Sequence, residues 1–188
     1  MKSLSILIFF LLSFHLGRSN NNYFQNDSLP LVGNKVTYTG IMELDSIKKG
    51  ILYKNAIVFF RDYVIRFNNG LNYTRNKIEN PISYSADDSS ELIVNLKIRL
   101  EGLNMERLYS FIVRLKFKDN KYKYEVSDFV QLGVNTGIIA GPLYGEAPIE
   151  DFYKKSFKKK NYIAFNNQIK KFLYTMYEAL RRKGQENW

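Results

Sequence analysis

Three runs between residues 91 and 129 alternate apolar and polar side chains, and this alternation limits the possible folds more than any other feature of the chain. Successive side chains of a β-strand point to opposite faces. Alternation of this length therefore reads as strands with one buried and one solvated face. From Glu91 to Glu101, Leu92, Val94, Leu96, Ile98 and Leu100 share one side, and Ile93, Asn95, Lys97 and Arg99 share the other. From Leu108 to Lys118, Tyr109, Phe111, Val113, Leu115 and Phe117 oppose Ser110, Ile112, Arg114 and Lys116. Asp119-Asn120 is a hairpin turn. The return from Lys121 to Phe129 puts Tyr122, Tyr124 and Val126 opposite Lys121, Lys123 and Glu125.

Other elements flank this meander. Val36 to Leu44 reads as a first strand. Asp45 and Ser46 are N-cap types, and Ile47, Leu52, Ala56, Phe59, Phe60 and Tyr63 recur at helical spacing. A helix is expected from about Ile47 to Val64. Pro81 to Ala86 is expected as a short edge strand, where proline is tolerated. Gln131 to Glu146, with four glycines, reads as a loop. Phe165, Ile169, Phe172, Leu173, Met176 and Leu180 form the apolar stripe of a long helix over about 161–183. The order strand, helix, antiparallel strands, helix makes the chain α+β, with helices against one face of the sheet.

The N-terminus carries a different signal. Met1-Lys2 precedes an apolar run to Phe14, and Gly17 and Ser19 follow as a small-x-small pair. This is the pattern of a secretory leader, and the run is too short to span a bilayer. Residues 1–19 are thus expected to be removed on export to the periplasm or beyond. Residues 20–34 read as a polar, flexible lead-in, and 35–185 as a single domain. No later stretch is long and apolar enough for a membrane helix.

The composition rules out several chemistries. The chain has no cysteine, and its one histidine, His15, lies in the leader. Ser-His-Asp and Cys-His catalysis, histidine acid–base work and ordinary zinc sites are therefore absent from the exported chain. Packing, rather than disulfides, must hold the domain, and no cofactor is expected. Asp87-Asp88 with Glu91 lacks calcium-loop spacing, and the adjacent Glu150 and Asp151 are poorly placed to flank one glycosidic bond. A hydrolase using carboxylates alone is the least favoured reading.

Several local strings resemble a bacterial exported family of unknown function that has a TBP-like fold. They are Tyr38-Thr39-Gly40, then Asp45-Ser46-Ile47-Lys48 opening the helix, and Leu52-Tyr53-Lys54-Asn55-Ala56 within it. The hairpin Val113 to Tyr124 and the Pro148-Ile149-Glu150 loop complete the set. The resemblance implies a curved antiparallel sheet with helices on its convex side. It implies no activity and no site residues, and a fold name is no argument for DNA binding.

Charge allows two readings, an ordinary solvated face that keeps the chain soluble or a binding surface. The formal net charge is +10, and removing Lys2 and Arg18 with the leader leaves +8. Residues 151–188 hold ten Lys and Arg against Asp151, Glu178 and Glu186. The sheet face away from the helices is expected to carry Lys97, Arg99, Arg114, Lys116, Lys121 and Lys123, with few acids among them. Such a face suits an anionic envelope component or an acidic protein; nucleic acid fits the expected location poorly. Arg99 and Arg114 are the central candidates, because a guanidinium grips phosphate or carboxylate with paired hydrogen bonds. The alternative is a carrier of a small apolar ligand, held between sheet and helix by Phe59, Phe111, Phe117 and Tyr124.

Overall fold

The structure is a computed structural model that describes residues 29–70, 77–100, 107–132, 146–151 and 159–182. Strands β1 (Leu31–Val32) and β2 (Lys35–Val36) make a small hairpin, followed by β3 (Tyr38–Glu43) and helix α1 (Lys49–Asn69). Strands β4 (Ile82–Ser85), β5 (Glu91–Leu100), β6 (Arg107–Lys118) and β7 (Lys121–Leu132) form the expected meander. Strand β8 (Ala147–Pro148) and helix α2 (Lys159–Leu180) complete the order. The main sheet runs β3-β7-β6-β5-β4, antiparallel throughout, with β8 pairing β7 past the end of β3. The α+β architecture read from the alternation is thus the one observed.

Both helices pack on the sheet face that holds the apolar sets of β5, β6 and β7. Phe111 of β6 stacks on Phe129 of β7 and meets Phe172 of α2 edge-on, with ring centroids 5.6 and 5.5 Å apart. Phe165 of α2 meets both Tyr109 and Phe129 at 5.1 Å. Phe59 of α1 closes the layer against Phe172 at 5.9 Å. Offset and edge-on ring pairs of this kind add to simple area burial. They suit a domain with no disulfide to rely on.

Helix α1 differs from expectation at both ends. Ser46 sits at φ 60° and Lys48 is extended, so neither belongs to the helix. The first free N–H, of Lys49, donates instead to Asp119 Oδ1 at 2.8 Å, from the turn between β6 and β7. That turn is bound on both sides: Asn120 N donates to Ile47 O at 2.8 Å, and Leu44 N donates to Asn120 O at 2.7 Å. A carboxylate here both caps the helix and complements its dipole. The C-terminal end runs on to Asn69, because Phe67 continues the half-buried stripe. Asn68 then pairs with the backbone of Ile78 through both its amide groups, each at 2.9 Å, and fixes where the chain returns toward β4. Asn55 plays a similar part for α2, donating to the carbonyls of Leu180 and Arg182.

Residues 29–34, read from sequence as the end of a lead-in, are part of the fold, with Leu31–Val32 paired to Lys35–Val36. Leu29 is buried in the core, and Val36 N donates to Glu150 Oε1 at 2.7 Å. The leader and most of the glycine-bearing loop lie outside the described residues.

Two glycines give opposite expectations. A Cβ on Gly40 would sit 2.8 Å from the ring and hydroxyl of Tyr124, the buried residue across from it on β7. Gly40→Ala should destabilise by about 1–3 kcal/mol through overpacking. A Cβ on Gly50 meets nothing within 4 Å, so Gly50→Ala should stabilise by about 0.5 kcal/mol through helix propensity. Urea unfolding of the two variants checks both signs. The Lys49 N–H, helped by the charges of Lys48 and Lys49, holds the Asp119 carboxyl below the usual carboxylate range. A depressed carboxyl stabilises the fold above its unfolded pKa, and that share is lost as pH falls through the folded one. Asp119→Asn should therefore be less stable than wild type at neutral pH, and the two melting curves should converge in acid.

Candidate functional site

The face of the sheet away from the helices carries all six basic residues expected there, but the structure divides them. Register sets their neighbours. Lys97 lies opposite Ser110, and Arg99 opposite Leu108. Arg114 lies between Ile93 and Glu125. Lys116 is flanked by Glu91 and Lys123, and Lys121 by Lys118 and Glu43.

Arg114 is not presented to a partner. Its Nη1 donates to Glu125 Oε1 at 3.1 Å and to Ser127 Oγ at 2.7 Å, and its Nη2 donates to Asp128 Oδ2 at 3.1 Å. Lys35 Nζ takes the other oxygen of Asp128 at 3.0 Å. The expectation of few acids on this face is therefore corrected: Glu91, Glu125 and Asp128 all stand on it. The cause is a β-bulge. Ile112 pairs with Ser127 while Ser110 pairs with Val130, so two residues of β7, Asp128 and Phe129, oppose Phe111 alone. Asp128 takes φ 56° to make the extra step, a conformation that aspartate accepts more readily than most residues. Up to Val126 the even-numbered residues of β7 face the core; beyond the bulge the odd ones, Phe129 and Gln131, do. The bulge thus turns Phe129 inward and puts Ser127 and Asp128 side by side under Arg114. Burial works against ionising Asp128, but its hydrogen bonds to Lys35, Arg114 and Ser127 outweigh it and hold the carboxyl below its usual range. Sequence did contain this signal: the apolar phase changes from Tyr122, Tyr124 and Val126 to Phe129.

The cations of β5 also have structural partners. Arg99 Nη1 donates to Gly70 O, just past α1, at 3.0 Å, where positive charge complements the helix dipole. Lys97 Nζ donates to Lys77 O at 3.3 Å. Burial lowers the pKa of Lys97, against the opposing pull of Glu146 and Glu79. Both side chains pin the crossover from α1 to β4. Between that crossover and the sheet lies an open cleft of about 600 Å³, with Ile112 and Val130 among its walls and Lys97, Glu79, Asn95 and Asp128 around them.

At the hairpin end the picture differs. Lys116, Lys118, Lys121 and Lys123 are all exposed. Lys116 faces Lys123 directly, and Lys118 faces Lys121. Of the four, Lys116 has an ion pair, with Glu91 at 3.5 Å.

The other candidate chemistries find little support. Phe59, Phe111 and Phe117 are buried in ring contacts, and Tyr124 is buried over Gly40, so the residues expected to line an apolar pocket are packed instead. Asp88 accepts from Ser90 N in a turn, and Glu150 accepts from Val36 N. Among the described residues no group of three or more His, Cys, Asp or Glu could hold a metal ion. Nor is any helix among them long and apolar enough to cross a membrane.

No family model matches the chain, and no curated protein matches it. Solved structures do. A TBP-like protein from Parabacteroides distasonis ATCC 8503 superposes with a TM-score of 0.60 at 15% identity, over 82% of this chain and 97% of the other. A DUF4468 family protein from Bacteroides ovatus ATCC 8483 superposes with a TM-score of 0.54 at 11% identity, over 90% of this chain and 99% of the other. At such identities the likeness extends to the fold and not to site residues: the chain has the TBP-like α+β fold.

Proposed function

We propose that this is a non-catalytic, exported binding module of the cell envelope, and that it docks an anionic partner on the hairpin end of its open sheet face. The observation that supports it is the double lysine opposition, Lys116 across from Lys123 and Lys118 across from Lys121. Directly opposed like charges destabilise a sheet. An anion lying across both pairs relieves that repulsion and gains Lys118, Lys121 and Lys123, none of which has an ion pair among the described residues. Export rests on the leader-like residues 1–19.

A carboxylate hydrolase is less well supported. A general acid needs a carboxyl whose pKa is raised toward the working pH, and Asp128 in the cleft is shifted the other way. The carrier reading has less support: Phe111 borders the open cleft, but its ring is buried against Phe129 and Phe172.

The test is capture from native envelope extract, at low and at moderate salt, by wild type and by a Lys118→Gln, Lys121→Gln, Lys123→Gln variant. An acidic partner should be retained by wild type at low salt and bind the variant about tenfold more weakly. Moderate salt should weaken it too, because exposed charges are screened. If the same molecules come down with both proteins at both salts, the lysines are only a solvated surface and the proposal fails.

A further inference from the structure

The helical layer carries a second surface on the opposite side of the molecule. On α1 the buried residues are Leu52, Ala56, Phe59, Phe60 and Val64. A seven-residue interval is nearly two full turns, so Val58 and Ile65 fall almost in line along the side facing away from them. That line is where an ordinary surface helix carries charge. Val58 and Ile65 are instead each 57% exposed, and Tyr174 of α2 is 55% exposed. Around them stand exposed cations: Lys54, Arg61 and Arg66 of α1, Lys171 of α2, and Arg181 and Arg182 at its end. Arg181 pairs with Glu178 at 2.9 Å. The other five have no ion pair among the described residues, and Asp62 is the one further acid on the outer side of α1.

We propose that this outer helical face docks on the surface of an anionic phospholipid bilayer. Exposed apolar side chains on the same helices as exposed Lys and Arg are what a helix lying in the headgroup region requires: shallow apolar insertion together with attraction to anionic lipid. The five unpaired cations against the single Asp62 supply the charge complementarity. The surface is too basic for a second copy of the same chain, whose like charges would meet across the contact. No part of the proposal depends on the lysine hairpin. The helices pack on one face of the sheet and the hairpin lysines point from the other, so a chain seated this way presents its open face away from the lipid.

The absence of cysteine allows a site-specific test on the full chain. Single variants Val58→Cys on the helical face and Tyr84→Cys on edge strand β4 are labelled with an environment-sensitive fluorophore. They are mixed with vesicles of equimolar phosphatidylcholine and phosphatidylglycerol, and with vesicles of phosphatidylcholine alone. The expected result is a blue shift at position 58 with the anionic vesicles and none at position 84. Adding Arg61→Gln and Arg66→Gln to the first variant should weaken the response about 25-fold, at roughly fivefold per basic residue. Comparing positions within one protein separates docking of this face from any insertion of the apolar N-terminus. A shift at 84 without one at 58, equal shifts with both kinds of vesicle, or no shift at either position would overturn the proposal. Failure of lipid docking would leave the lysine hairpin untouched, and the reverse also holds.

Discussion

The fold turns on one extra residue. Had β7 kept its phase past Val126, Asp128 would face the aromatic layer and Phe129 would face solvent. A lone carboxylate inside that layer would cost several kcal/mol, on the order of the penalty for any unpaired buried charge. The bulge at Ser127 and Asp128 reverses the phase. Phe129 then joins Phe111, Phe165 and Tyr38, and the polar pair is left on the open face. Two adjacent polar groups on one side of a sheet need a shared partner, and Arg114 supplies it while Lys35 ties the β1–β2 hairpin to the same carboxylate. The basic residue that looks most suited to binding is thus consumed in making the bulge tolerable.

This explains how much could be read from sequence. The meander, its register turn at Asp119-Asn120 and the one-sidedness of the sheet were legible, because period-two alternation is a local property. The stripe of α2 was legible for the same reason. The start of α1 was not: its cap comes from Asp119, seventy positions away, and Asp45 and Ser46 offered a nearer but mistaken one. Nor was the partnering of the basic face. Strand alternation reveals which residues share a face but not which neighbours they meet. Arg114 and Glu125 became a pair only once β6 and β7 were in register, and Asp128 joined them only through the bulge. Lys97 and Arg99 bind carbonyls of the α1–β4 crossover, whose path follows from Asn68 and Ile78 rather than from any pattern in β5.

The molecule then has two surfaces of different character. The open sheet face carries cations and acids together, is largely self-neutralising in its middle, and keeps excess positive charge at the hairpin end. The outer helical face carries exposed apolar residues within a field of cations and few acids. The strongly basic C-terminal region contributes to the second surface through Lys171, Arg181 and Arg182. Net charge alone could not distinguish the two, since it measures how much charge is present and not where it is already paired.

The role of Arg114 separates scaffold from site most directly, and urea unfolding of Arg114→Met, of Asp128→Asn and of the double variant measures it. A bulge clamp should lose about 1–2 kcal/mol in each single variant, with a coupling of about 1 kcal/mol between them, while capture of an anionic partner by Arg114→Met stays within about twofold of wild type once both are folded. Unchanged stability in Arg114→Met, together with loss of the partner, would contradict this and return Arg114 to the binding surface.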